Sequence, residues 1–313
     1  MTEHYPRIRI HKLFDDGRTL FIRESVGITF YLRHPHRDIA QEVWRAIEMY
    51  RRAVGPQRLQ WYPDAEGDWQ ELDEQGWAFS RRKVLERDGG NTCLVENHED
   101  VTGYEVQYYG VVFDDPMWPV GPNATSTISF FLPTEHLEEY GPGWVRELAV
   151  DLSRVLPFDS GHAGLTFLFP EESISTTSSI RDDSFRYPGL DIPDSYIARA
   201  MGSQVKGVHW MNFLGSPILE ALGGIEGLRA RLHSPGTTVQ PLEGGKTLVT
   251  LGEWPEAGDL EQGHTLPAYR ELARVLEPWF FGTSTVWRGF SPEDMRRWLR
   301  RFLDQPLLWR PNR

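Results

Sequence analysis

Short β-branched and aromatic runs alternate with amphipathic segments of helical period along this chain, and that alternation constrains its fold more than any other feature. In the first unit "GITFYL" (27–32) precedes "HRDIAQEVWRAIEMYRRAVG" (36–55), where Ile39, Val43, Ile47, Tyr50 and Val54 step by three or four and share one face. Gly55 and Pro56 end that helix, and "RLQWY" (58–62) supplies the next strand. In the second unit "TISFFLP" (127–133) leads to "GWVRELAVDLSRVLP" (143–157), striped by Val145, Leu148, Leu152 and Val155, and then to "GLTFLF" (164–169). The third couples "KTLVTLG" (246–252) to "LPAYRELARVLEP" (266–278), with Tyr269, Leu272, Ala273 and Leu276 as the apolar stripe. Pro267 stands in its first turn, where a missing N–H costs nothing.

The spacing between units is irregular, which argues against a solenoid. Hairpin-like strands with no intervening helix also appear within 17–33 and within 104–113. The expected fold is therefore α+β: a mixed, largely antiparallel sheet with helices packed on it, rather than a doubly wound parallel sheet. A chain of 313 residues suits a single compact domain, 1–313, with 1–120 and 121–313 as candidate pseudo-similar lobes. The junction would fall in the Gly/Pro-rich "PMWPVGPNA" (116–124) or in 170–194, where periodicity fades. "SPEDMRRWLRRFLD" (291–304) reads as a closing helix, capped by Ser291 with Pro292 and Asp294 in its first turn. Met295, Trp298, Leu299, Phe302 and Leu303 form its apolar side, and Arg296, Arg297, Arg300 and Arg301 are expected on a solvated one.

The charge balance narrows the partners. With 45 acidic against 33 basic residues the net charge is −12, a field that repels nucleic acid and anionic membrane and attracts basic proteins. Cys93 is the only cysteine, so neither an intrachain disulfide nor a cysteine-rich metal site can form. The first residues have no apolar signal core and no run reaches membrane-spanning length, so a cytoplasmic protein is expected.

Motifs for chemistry fail on inspection. Neither G-x-x-x-x-G-K-[ST] nor G-x-G-x-x-G is present, and "GGIEGLRARL" (223–232) reads as a tight turn before a helix. There is no G-x-S-x-G elbow. Ser160 and His162 in "DSGHAGLTF" allow a nucleophile and base; they also suit a turn at Ser160, Gly161 and Gly164 ahead of a buried strand, with His162 a structural donor. His34 and His36 lack the H-E-x-x-H frame. Asp64, Glu66 and Asp68 match the first ligands of a Ca²⁺ loop, but Trp69 replaces its glycine and Gln75 its closing glutamate. No catalytic residue, metal or cofactor is assigned.

Three acidic loops remain, each with a tryptophan. The segment 252–264 carries Glu253, Trp254, Glu256, Asp259 and Glu261; the segment 64–74 carries Asp64, Glu66, Asp68 and Trp69; and 114–118 carries Asp114, Asp115 and Trp118. Carboxylates steer a basic partner and grip its Arg or Lys, while a tryptophan anchors it. These residues are the candidate partner-binding set. The other reading is that each Trp folds back on the core and the acids are hydrated.

Several segments carry a family resemblance: "SFFLPTEHLEEYGPGWVRELAVDLSRVLPFDSGHAGLTF" (129–167), "FRYPGLDIPD" (185–194), "FLGSPILEALGG" (213–224), "LGEWPEAGDLEQGHTLPAYRELARVLEP" (251–278) and "EDMRRWLRRFLD". They resemble bacterial type VI secretion immunity proteins, the group paired with VRR-Nuc nuclease effectors. The resemblance implies a non-enzymatic cytosolic protein that binds a cognate toxin and blocks it, and it brings no catalytic residues. "RYPGLDIPD" and "SGHAGLTF" read as structural. A hydrolase with a site near His162, and a structural or self-associating component of the secretion apparatus, are the alternatives. Oligomeric state is not legible.

Overall fold

The computed structural model describes residues 4–14, 17–86, 90–113, 120–170, 176–194, 199–283 and 285–304. Its strands are β1 (Arg9–Phe14), β2 (Gly17–Leu32), β3 (Trp61–Pro63), β4 (Trp69–Glu71), β5 (Asn91–Val95), β6 (Glu105–Tyr109), β7 (Ser126–Pro133), β8 (Ser160–Leu168), β9 (Met211–Leu214), β10 (Thr237–Leu242) and β11 (Lys246–Leu251). They form one sheet in the order β10-β11-β9-β8-β2-β7-β6-β5-β3-β4, with β1 on the first half of β2. Each ladder between these strands is antiparallel, so the expected α+β architecture is the one found.

Alternation along the strands decides which face does what. Across β6, β7, β2 and β8 the register aligns Val106 with Phe130, Phe130 with Ile28, and Ile28 with Ala163, and these side chains are fully buried. Two long helices cover this apolar face: α1 (His36–Val54), through the stripe read from its sequence, and α3 (Thr134–Val155). A side chain turned by one position lies on the opposite face. There the register aligns Cys93, Gln107, Ser129, Thr29, His162 and Asn212 in a polar row across six strands. Polar though it is, this row is largely shielded: Gln107, Ser129 and Asn212 are each buried.

The remaining helices are α2 (Glu74–Leu85), α4 (Thr177–Arg186), α5 (Ser216–Ala221), α6 (Gly224–Arg229), α7 (Pro267–Leu276) and α8 (Pro292–Leu299). One contiguous core cluster runs from Tyr5 to Phe302.

Four local expectations need correction. α3 starts at Thr134, directly after Pro133, and not at 143; its kink at Gly141, with φ at 80°, absorbs the "GPG" that the helical pattern treats as a break. β8 starts at Ser160, so Ser160, Gly161 and Gly164 belong to a strand and not to a turn. Gly161 has no room for a side chain, because a Cβ there would stand 2.6 Å from the Phe30 ring. The stretch 17–32 is one strand whose hairpin partner is β1. Lastly, α8 has the expected Ser291–Asp294 capping box, but Arg301 is not solvated: it lies beyond the helix with its side chain buried, donating to Pro188 O at 2.9 Å.

Candidate functional site

The polar row culminates in a buried cluster at His162. The segment 187–194 runs past β8: Phe167 N donates to Asp191 O and Asp191 N to Leu165 O, each at 2.9 Å, which fixes Asp191 over the sheet. His209 precedes β9, held by reciprocal bonds with Asn212 at 2.9 and 2.7 Å. The imidazoles of His162 and His209 stack with centroids 3.7 Å apart and planes 12° from parallel. Asp191 Oδ2 is 3.4 Å from His209 Nε2, 3.7 Å from His162 Nε2 and 2.6 Å from Lys206 Nζ, while Arg301 stands 3.5 Å from Oδ1. A cavity of about 20 Å³ opens beside them, lined also by Thr29, Tyr31, Thr127 and Ser129. That is room for about one water.

Burial sets the protonation here. It pushes the His162 imidazole well below its ordinary range, the neighbouring His209 adding to the effect and Asp191 opposing it. His209 is lowered by burial too, against the pull of Asp191. Burial would raise the Asp191 carboxyl, but Lys206 and His209 hold it well below the usual carboxylate range. At neutral pH the cluster therefore consists of two neutral rings around a carboxylate already matched by an ammonium and a guanidinium.

His162, Asp191 and His209 each offer an atom within reach of one metal ion. The arrangement does not suit one. A ring nitrogen binds through a lone pair in the ring plane, and two nearly parallel planes 3.7 Å apart share no point to which both lone pairs aim. Lys206 and Arg301 also supply the positive charge that an ion would bring. The nucleophile reading fares no better: Ser160 Oγ donates to Gln204 O at 2.7 Å while His162 stacks on His209, so the two turn to different partners. What the geometry supports is a lock that ties β8, the 187–194 segment, the approach to β9 and the residues after α8 together. Sequence reading missed Asp191, Lys206 and His209, whose only signal was an aspartate in a segment taken as structural.

The acidic loops lie elsewhere. In 252–264, Glu253 and Glu256 are exposed, and Trp254 is half-buried, its ring stacked on His4 at 5.3 Å. Asp259 points inward. It takes Arg186 Nε at 3.1 Å and Nη2 at 2.8 Å, with the Glu261 N–H at 3.0 Å and Gln262 Nε2 at 2.9 Å. Glu261, exposed, meets Arg186 Nη1 at 2.5 Å. Thus the positive charge that these crowded carboxylates require comes first from the chain itself. Burial would raise the Asp259 carboxyl, but Arg186 outweighs it and holds it low.

In 64–74, the Asp64 carboxylate accepts from Glu66 N at 3.1 Å, Asp68 N at 2.9 Å and Gln70 Nε2 at 2.9 Å, closing the turn between β3 and β4. Glu66 and Asp68 are exposed, and Trp69, 38% exposed, starts the terminal strand of the sheet. Asp114, Asp115 and Trp118 lie outside the described residues. The two described loops sit toward opposite ends of the sheet, one after β11 and one between β3 and β4, with six strands between. At normal strand spacing that is roughly 30 Å.

The family model described as type VI immunity for VRR-NUC matches residues 42–302. Among solved structures the chain is similar to the Pseudomonas aeruginosa T6SS protein PA0821. The TM-score is 0.78 at 19% identity, over 94% of this chain and 87% of that one, a likeness of fold. No curated protein matches.

Proposed function

We propose, from the premise that this chain belongs to the type VI immunity for VRR-NUC family, that it binds a cognate VRR-NUC effector in the cytoplasm and blocks it. The observation that carries the reading is the family match, which extends over most of the chain. Physical chemistry supports it. The net charge of −12 favours a basic protein partner, and exposed acids stand beside aromatics at both described loops. Glu253, Trp254, Glu256 and Glu261 form one candidate docking patch, and Glu66, Asp68 and Trp69 another. Asp114, Asp115 and Trp118 stay in the candidate set from the sequence. Asp64 and Asp259 act within it as loop-closing residues, holding the exposed carboxylates in place. The reading is of a binding protein and not of an enzyme, since in the His162 cluster the carboxylate is taken up by Lys206 and Arg301 and Ser160 turns to Gln204 rather than to His162.

Co-expression with the cognate VRR-NUC effector tests it. Growth of cells carrying both genes, arrest of cells carrying the effector alone, and co-purification of the two proteins are expected. Continued arrest when this chain is abundant would sink the reading. A second measurement separates binding from turnover: protection by this chain should saturate at a fixed molar ratio to the effector, whereas a catalytic antagonist protects at far below one equivalent.

A further inference from the structure

We infer that the cleft beside the β3–β4 hairpin receives an arginine or lysine side chain of the VRR-NUC effector, which makes this end of the sheet an anchoring point of the complex. The inference rests on the immunity reading above and adds to its Glu66, Asp68 and Trp69 patch a cleft, a chemistry and lining residues, Trp61, Glu96, His98 and Glu99, that no acidic-loop pattern picked out.

The cleft is open to solvent and holds about 340 Å³, lined by Gln60, Trp61, Glu96, His98, Glu99 and Thr102 with Asn97. That volume accommodates one long side chain. Two of its lining residues are aromatic, Trp61 and His98, whose rings meet edge to face at 4.3 Å; Trp69, outside the lining, lies near-parallel to His98 with centroids 6.0 Å apart and planes at 20°. Its lining includes two carboxylates, Glu96 and Glu99, and no lysine or arginine. Arg58 pairs with Glu96 at 3.2 Å but stands over the Tyr104 ring, so it satisfies that carboxylate from outside the lining set. Aromatic walls with acids select a cation, and the planar guanidinium of arginine suits them best, since it stacks on a ring and bonds a carboxylate at once.

Two further features fit a docking point. The outer rim continues the same charge, for Glu66, Asp68 and Glu71 are all exposed along the hairpin. The hairpin is also preorganised. Asp64 closes its turn, and the β3–β4 register sets Trp61 opposite Glu71 and Pro63 opposite Trp69, so little ordering entropy is lost on binding. Trp69 is one of few large hydrophobic side chains exposed among the described residues, and its ring neighbours that of the lining residue His98. An exposed tryptophan beside an acidic cleft is the composition of an interface hot spot.

Biolayer interferometry of the full chain against the VRR-NUC domain of the cognate effector tests the inference. Trp69→Ala and Glu99→Lys are each expected to weaken binding at least tenfold. Glu243→Lys, on the exposed turn at the other end of the sheet, should stay within about twofold of wild type. Unchanged melting temperatures would show that the variants fold. Wild-type affinity for both Trp69→Ala and Glu99→Lys overturns the cleft while leaving the immunity reading intact. Absence of binding by the unmodified chain overturns the immunity reading itself, and the cleft with it. A Glu99→Gln variant reports the charge alone: an intermediate loss that shrinks with added salt is expected, and a loss insensitive to salt would mean that no cation is bound there.

Discussion

Glu105 shows how a single side chain on the polar face sets a pH response. Its register places it on β6 beside Phe131, on the side away from the helices, where Gln107 Nε2 donates to it at 2.6 Å and Cys93 Sγ at 3.5 Å. Burial pushes its carboxyl up to about 7, and those two bonds only partly offset it. Between its ordinary value near 4.5 and about 7 the folded protein therefore holds a proton that the unfolded chain has released. Stability from this group is present at the acidic side of that window and is lost as pH rises through it. Glu105→Gln should consequently raise the melting temperature relative to wild type at pH 8 and change it little at pH 4. Equal shifts at both pH values in thermal melts would refute the assignment. At this scale little of the site could be read in advance. His162 is visible as a histidine on a strand, but Asp191 comes from one distant segment and Lys206 and His209 from another, and only the folded sheet brings all three basic groups within 4 Å of the Asp191 carboxylate.

At the scale of elements, amphipathic stripes were the legible part. The faces assigned to α1 and α7 are the faces they bury, because a 3.6-residue period leaves few choices once one side must leave water. Strand and helix limits were less legible. Neither the immediate β7–α3 junction nor the kink at Gly141 leaves a periodic trace. The 252–264 loop is an element of its own, pinned to the last turn of α4 by Arg186. Removing that guanidinium leaves the Asp259 carboxylate buried with only two weaker donors. Arg186→Ala is expected to cost roughly 1–3 kcal/mol in urea unfolding, the lower part of that range being favoured because Arg186 is about a third exposed. Glu253→Gln, on an exposed residue of the same loop, should change stability by less than about 0.5 kcal/mol. An Arg186→Ala variant as stable as wild type would mean that the loop is held by its backbone alone.

For the molecule as a whole, one sheet carries strands from both proposed lobes. β6 from the first and β7 from the second are direct neighbours, and β2 lies between β7 and β8. The hydrophobic cluster likewise joins residues from the first strands to the last helix. A single cooperative unfolding transition is expected, with tryptophan fluorescence and far-ultraviolet circular dichroism superimposing in urea. Two separated transitions would instead establish 1–120 and 121–313 as independent units. The lobes suggested by the Gly/Pro-rich stretch near 120 thus become a matter of cooperativity.

By itself the sequence determined the class of fold, the buried faces of its helices, the negative charge and the family to which the chain belongs. Fold class and buried faces follow from local period, which a short window of residues carries; the charge is a sum over the whole chain, and the family rests on the resemblance of extended segments. Only the tertiary structure decided which acids face the solvent and which close on an arginine, that the His162 cluster is a charge-matched lock, and that Trp61, His98 and Glu99 line one cleft. Those facts depend on distances between residues far apart along the chain, and such distances exist only once the strands have chosen their neighbours.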